Sequence, residues 1–286
     1  MAVFGHQTCT LSAGNMRSGS AMEQIREGLT SKNRAISSQY FYDSRGSEIF
    51  QAITELPEYY LTSSELEVLE THAQAIAAAV SASAPDIALL EAGPGDGRKA
   101  GRIARALRES GVHIRYGAVD ISESAVNDAV LNIARQFEIE TRSLAGDYHE
   151  LLPQLARLWP GSRKMILFLG SSIGNYSSGP ALRLLRTMRR SIEPGDFALI
   201  GFDLKKEESV LVPAYSDGQG LTREFNLNLL RRVNNELGGT FDLTRFDHRA
   251  VYNRERGAMQ SFLVSRCDQT VRIEHLDLTL SLKCGE

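Results

Sequence analysis

Three acids in this chain each close a short apolar run: Glu91 in "LLEAGPGDGRKAGRI" (89–103), Asp120 in "GAVDIS" and Asp147 in "AGDY". Gly93, Gly95 and Gly97 follow the first of them at alternate positions. Glycines so placed let a backbone pass close to a ligand between a strand and a helix. Carboxylates at strand ends accept hydrogen bonds from hydroxyls and attract cations. Together they could hold a polar ligand beyond the carboxyl ends of parallel strands, where open α/β sheets bind theirs. The stretch Gly95-Asp96-Gly97-Arg98-Lys99-Ala100 also fits G-x-G-x-x-A, the dinucleotide fingerprint, which is weak when it stands alone.

The acids choose between ligands. Glu91 and Asp96 bracket the glycines, and Asp96 is expected to repel a pyrophosphate where backbone N–H groups should face it. S-adenosylmethionine (SAM) carries a sulfonium and a zwitterionic amino acid but no phosphate, and tolerates acids there. The spacing E-x-G-x-G-x-G resembles the first motif of the class I SAM-dependent methyltransferases. Asp120 suits two ribose hydroxyls in either ligand and does not discriminate. Asp147 does, because methyltransferases commonly place an acid there beside the adenine. Glycines that only turn the chain would leave three acids at successive strand ends unexplained.

The elements that must carry these residues are legible in the periodicity. "DIALLEAG", "IRYGAVDIS", "TRSLAGDY", "KMILFLGSS" and "DFALIGFDL" read as five strands separated by helices such as "RKAGRIARALRES" and "ESAVNDAVLNIARQF". That alternation predicts a parallel sheet with right-handed crossovers, each strand apolar throughout because both faces are covered. Before it, "AMEQIREGL" and "GSEIFQAITEL" have helical spacing. "LTSSELEVLETHAQAIAAAV" reads as a helix with Thr62 or Ser63 as N-cap and acids in its first turn. Beyond Lys205 come the amphipathic "GLTREFNLNLLRRVNNEL" and antiparallel strands in "HRAVYNRERGAMQSFLVSR" and "QTVRIEHLDLTLSL". The expected fold class is α/β, a Rossmann-like sheet with a second, mixed α+β domain. The expected division is an arm over 1–20, a SAM-binding domain over 62–204, and a substrate-binding domain from 21–61 and 205–286.

Composition excludes several classes. Of the 286 residues, 42% are hydrophobic and 23% charged, and the net charge of −3 gives no electrostatic footprint for nucleic acid or anionic lipid. Arg183, Arg186, Arg189 and Arg190 fall at helical spacing and read as a solvated helix face. Cys9, Cys267 and Cys284 are scattered, with no C-x-x-C pair, which argues against structural zinc or a disulfide framework. No run approaches the roughly 18 apolar residues of a membrane span, and the N-terminus lacks the plan of a secretory signal. The expectation is a cytoplasmic, metal-free protein with a small-molecule substrate and no nucleic-acid or membrane partner, monomeric by preference.

Three blocks then carry a family resemblance: "YFYDSRGSEIFQAITELPEYYLTSSELEVL" (40–69), "LFLGSSIGNYS" (167–177) and "AYSDGQGLTREFNLNLLRRVNNELGGTFDLTRFDH" (214–248). From about residue 38 onward the chain resembles the histidine Nα-methyltransferases of ergothioneine biosynthesis, whose fungal relatives act on tryptophan-derived amines. The resemblance implies a class I methyltransferase domain and a second domain built from the N-terminal helices and the segment after the fifth strand. It implies that Gly93, Gly95 and Lys99 surround the amino-acid end of SAM, that Asp120 holds the ribose, and that Asp147 and Tyr148 flank the adenine. It places Tyr42 and Gly170 near the substrate amine, Asn175 and Tyr215 on the substrate carboxylate, and Tyr59 and Phe225 around the imidazole. By residue type alone other readings stay open. Tyr59 beside Tyr60 suits a core, Asn175 after Gly174 a turn, Lys99 an exposed helix start and Tyr215 a surface anchor. His149 reads as an adenine-side or surface residue.

Two departures follow. Ser261 aligns with a methionine of the family's substrate pocket, near but not at Met259. The family also continues for a few dozen residues past "LTLSLKCGE" with a Glu and a Ser that grip the imidazole and with the last strands of the sheet. The expectation is a truncated form or a short homologue with altered selectivity. The implied reaction is transfer of three methyl groups to the α-amine of L-histidine, with Tyr42 and a water taking the amine proton and no strong general base. The alternatives are N-methylation of another amino acid or an aromatic amine, and a SAM-binding protein without catalysis.

Overall fold

The structure, a computed structural model, describes residues 8–10 and 16–286. A short strand β1 (Thr8–Thr10) comes first, then helices α1 (Gly19–Thr30), α2 (Ser44–Thr54) and α3 (Tyr60–Ser81). Strands and helices then alternate: β2 (Asp86–Ala92), α4 (Arg98–Glu109), β3 (His113–Asp120), α5 (Glu123–Phe137) and β4 (Thr141–Ala145). The series closes with α6 (Tyr148–Leu155), β5 (Arg163–Phe168), α7 (Ser178–Ser191) and β6 (Phe197–Ile200). Helices α8 (Glu208–Ala214) and α9 (Leu221–Leu237) lead to two hairpins, β7 (Phe246–Asn253) with β8 (Ala258–Ser265) and β9 (Gln269–Ile273) with β10 (Leu278–Leu282). These elements fall into two compact units, one of described residues 8–10 and 61–203, the other of 16–60 and 204–286.

The first unit is a parallel sheet in the order β1-β4-β3-β2-β5-β6. Alternate residues of one strand serve opposite faces. Ile87 and Leu89 of β2 join the core under α3, α4 and α5, whereas Ala88 and Leu90 join the core under α6 and α7. All four are fully buried, which is why the strand reads as an unbroken apolar run. Helix α4 meets the sheet with Ala100, Ile103, Ala104 and Leu107, a stripe at the i, i+3, i+4, i+7 spacing of one helix face. The chain steps outward from β2 to β3 and β4, then returns to the other side of β2 for β5. The switch point therefore lies between the carboxyl ends of β2 and β5, where such sheets bind ligands.

Three sequence expectations need correction here. Helix α3 begins at Tyr60, so Thr62 and Ser63 lie inside it and its first turn holds no acid. The sheet has a sixth strand, because Thr8–Thr10 pair with Ser143–Ala145. Not every strand is apolar and covered throughout: β4 carries Thr141, Arg142 and Ser143, and the edge strand β6, apolar along its length, leaves Ala198 exposed. The arm expected over 1–20 falls largely outside the described residues, but Met16 is fully buried and α1 starts at Gly19. The four α7 arginines are exposed, a solvated face as expected.

The second unit is organised on α9. Leu227, Leu230, Val233 and Leu237 of this helix share a core with Ile25 of α1 and with Val271, Ile273, Leu280 and Leu282 of the β9–β10 hairpin. Gly238 ends the helix in the left-handed conformation, φ 67°, and its N–H returns to Val233 O. The following turn is held by Asn234, whose amide donates to Phe241 O and accepts from Phe241 N. Among the described residues, no helix is long and apolar enough to cross a membrane.

Candidate functional site

The glycine loop leaves β2 directly and enters α4. Gly93, Gly95 and Gly97 all have positive φ, at 71°, 58° and 78°. At Gly97 a side chain would be strained by φ and would also press on Ala129 O, 3.2 Å from an added Cβ. At Gly93 an added Cβ would stand 3.0 Å from the Tyr148 hydroxyl, so loop and tyrosine approach each other only because the residue is glycine. Nothing lies within 4 Å of a Cβ built at Gly95, which leaves the backbone open to a ligand.

Asp96 acts differently from the expectation. Its carboxylate pairs with the Arg98 guanidinium and accepts from Arg98 N at 3.0 Å. The acid's charge is thus largely compensated, and direct repulsion of a pyrophosphate is the weaker argument. The stronger one is that Asp96 already occupies a backbone N–H at the α4 N-terminus that a phosphate would need.

The other acids have distinct environments. Glu91 is 1% exposed and accepts a 2.5 Å hydrogen bond from the Tyr116 hydroxyl. Burial dominates over that bond and over nearby Lys99, pushing its carboxyl up to about 8, so it is protonated at neutral pH. Asp120, at the end of β3, is pushed up to about 6 by burial, against the backbone N–H groups of Ser122 and Ile121 that favour its charge. Its Oδ1 accepts from Ser122 N at 2.9 Å. Asp147 caps α6 by accepting from His149 N at 2.6 Å, and the His149 ring lies 3.2 Å from the Thr187 hydroxyl, turned to a helix rather than poised as a base.

Two residues of this site carry no signal in the sequence pattern. Tyr176 is raised to about 12 by burial first and then by the charges of Asp147 and Asp120. Glu65, on α3, accepts from Lys99 Nζ at 2.6 Å and from Gly170 N at 2.7 Å. Gly170 follows β5 with φ 77°, and Asn175 ends a 3₁₀ turn (Ser172–Asn175) just beyond it, exposed. An open glycine backbone, acids at the ends of β3 and β4, and one Lys–Glu pair fit a ligand with ribose hydroxyls and a zwitterionic end. They offer a phosphate little.

In the second unit, four residues implied by the family resemblance meet in one group of rings. Tyr42 packs edge-on to Phe225 at 5.6 Å, and Tyr59 edge-on to Tyr215 at 6.2 Å. Phe50 joins them, 5.5 Å from Tyr42, 5.7 Å from Phe225 and 6.1 Å from Tyr59, and sequence reasoning missed it. Helical spacing on α2 put Phe50 on an apolar face without revealing what that face meets. The neighbourhood of Tyr42 is firmly held. Asp43 caps α2 through Gly46 N at 2.7 Å and takes a 2.7 Å bond from Asn228 on α9. Buried Arg232 donates to Tyr40 O at 2.7 Å and to Glu236 at 2.7 Å. Ser261 stands exposed on β8, opposite Ala250.

Comparison with known proteins gives the family. The model of the histidine-specific, SAM-dependent methyltransferases matches residues 21–286. The chain is 35% identical over 283 residues to a histidine N-alpha-methyltransferase of Mycolicibacterium smegmatis, covering 97% of this chain and 86% of that one. It is 35% identical over 263 residues to the Mycobacterium tuberculosis protein of the same name, covering 92% and 80%. Among solved structures, the O-methyltransferase TomG of Streptomyces achromogenes, in complex with SAM, aligns with 85% of this chain and 91% of its own, at 17% identity and a TM-score of 0.34. A likeness that remote adds nothing to the two relatives. Its residues matched nearly end to end, this chain belongs to the histidine-specific, SAM-dependent methyltransferases.

Proposed function

We propose that this protein transfers methyl groups from SAM to the α-amine of L-histidine, three in succession, giving the betaine hercynine of the ergothioneine pathway. Membership of the family over residues 21–286 supports the substrate. The structural observation that carries the cofactor side is the glycine loop with acids at the ends of β2, β3 and β4 and with one N–H of its helix N-terminus already taken by Asp96. On the acceptor side, the gathering of Tyr42, Tyr59, Tyr215 and Phe225 into one ring cluster supports a pocket for a flat heterocycle.

When bound, SAM supplies a methyl group on a sulfonium, an electrophile with a good leaving group. The protein's task is then placement and exclusion of water. In the sheet unit, Asp120 would accept from the ribose hydroxyls, Asp147 and Tyr148 would flank the adenine, and Gly93, Gly95 and Lys99 would border the amino-acid end. Gly170 is assigned to the substrate amine and Asn175 to its carboxylate. In the second unit, Tyr59 and Phe225 would border the imidazole and Tyr215 the carboxylate. Tyr42, through a water, would take the ammonium proton that must leave before the nitrogen can attack. The cytoplasm as its setting remains part of this proposal.

Ser261, where the family has a methionine, favours a second reading in which another amino acid or an aromatic amine is methylated. Mass spectrometry of SAM reactions with each of the twenty amino acids separates the two. Three successive methylene increments on histidine alone support the first reading, and any other acceptor modified faster overturns it.

A further inference from the structure

The charge pair beside the glycine loop has a partner chemistry. Lys99 and Glu65 come from different helices, α4 and α3, and meet at 2.6 Å. Both are mostly shielded, with side chains 19% and 15% exposed. The same Glu65 oxygen accepts from the backbone N–H of Gly170, just past the end of β5. Space has been left for this carboxylate, because a Cβ at Gly201, just past β6, would stand 1.9 Å from Glu65 Oε1. The pair therefore stands at the carboxyl ends of β5 and β6, with the loop after β2 delivering Lys99. It lies beside the switch point between β2 and β5.

We propose that Glu65 completes a two-charge clamp for the amino-acid end of SAM, facing its α-ammonium while Lys99, already assigned to that end by the family resemblance, faces its carboxylate. A zwitterion laid against an ion pair aligns two antiparallel dipoles, so each charge meets its opposite. A lone lysine would attract the carboxylate but repel the ammonium and the sulfonium.

The neighbouring acids cannot take Glu65's place. Glu91 is held protonated by burial, Asp96 is tied to Arg98, and Asp120 and Asp147 lie beyond β2 on the opposite side from β5. A carboxylate has about four acceptor sites, and the two bonds to Oε2 leave capacity for a further donor. The inference rests on SAM being the cofactor and is independent of which amine accepts the methyl group.

The test uses calorimetry with two ligands, S-adenosylhomocysteine, which keeps the amino-acid end, and 5′-methylthioadenosine, which lacks it. Glu65→Gln retains an acceptor for Gly170 N–H but removes the charge. It is expected to weaken S-adenosylhomocysteine by about tenfold or more and to leave 5′-methylthioadenosine within about twofold. Lys99→Met should show the same split. In the double variant the loss should be less than the product of the two single losses, since the clamp acts as a unit. Equal losses for both ligands would mean that Glu65 only supports the site's shape and would overturn the clamp. So would unchanged or tighter S-adenosylhomocysteine binding. If the unaltered chain bound neither ligand, the cofactor reading itself would fall, which separates that failure from a failure of the clamp.

Discussion

Glu91 makes a pH-dependent prediction that follows from its burial. The carboxyl is 1% exposed, bonded to the Tyr116 hydroxyl, and titrates at about 8 in the folded protein against an ordinary value of 4.5. Above pH 4.5 the unfolded chain releases this proton while the native protein keeps it until about pH 8. The native state thus binds more protons across that window, and linkage requires stability to fall as pH rises through it. Each pKa unit corresponds to about 1.4 kcal/mol, so the loss is on the order of 5 kcal/mol. Glu91→Gln keeps an acceptor for Tyr116 and removes the titration. Thermal unfolding of both proteins from about pH 5 to about pH 9 should show the wild type losing ground to the variant as pH rises. At about 2–4 °C per kcal/mol, the gap in Tm should change by about 10 °C for the sheet unit's transition. The offset at low pH is immaterial, because other groups contribute equally to both curves. Parallel curves would refute the claim that Glu91 is buried as a neutral acid.

Other outcomes can be checked directly. Asp120→Ala should lower SAM affinity by about a hundredfold, since two hydrogen bonds to a charged acceptor are worth roughly 3 kcal/mol together; unchanged affinity by calorimetry in a folded variant would contradict the ribose assignment. NADH should show no saturable fluorescence enhancement at micromolar concentration, because Asp96 occupies the N–H that a pyrophosphate would need, and clear saturation would count against the loop argument. Histamine, which lacks the carboxylate, should be methylated about a hundredfold less efficiently than histidine, and Asn175→Ala should narrow that ratio; equal losses on both substrates would remove Asn175 from the carboxylate.

The alternation of apolar runs and helical stretches was readable because each strand of a doubly covered sheet must be apolar on both faces and each helix needs only one stripe. Residues 86–200 announce that plan locally, and the place of Asp120 and Asp147 at strand ends is also a local property. Helix α3 shows where local reading fails. Thr62 and Ser63 have the right type for an N-cap, yet the helix starts at Tyr60, which no propensity of Tyr-Leu-Thr-Ser indicates. The aromatic cluster was half legible. Tyr42, Tyr59, Tyr215 and Phe225 came from the resemblance, but Phe50 touches three of them, and it meets Phe225 only because α2 packs on α9.

Sequence by itself determined the five alternating strands and the glycine loop that follows the first of them, since each depends on residues close together in the chain. Only the tertiary structure decided the electrostatics. Burial beneath Tyr116 makes Glu91 a neutral acid, although its sequence context reads as one more charge on the loop. Glu65 is an ordinary helix carboxylate until the sheet's strand order brings α3 to Lys99 and Gly170. A charge's effect depends on its distance from other charges and from water, and folding alone sets both distances.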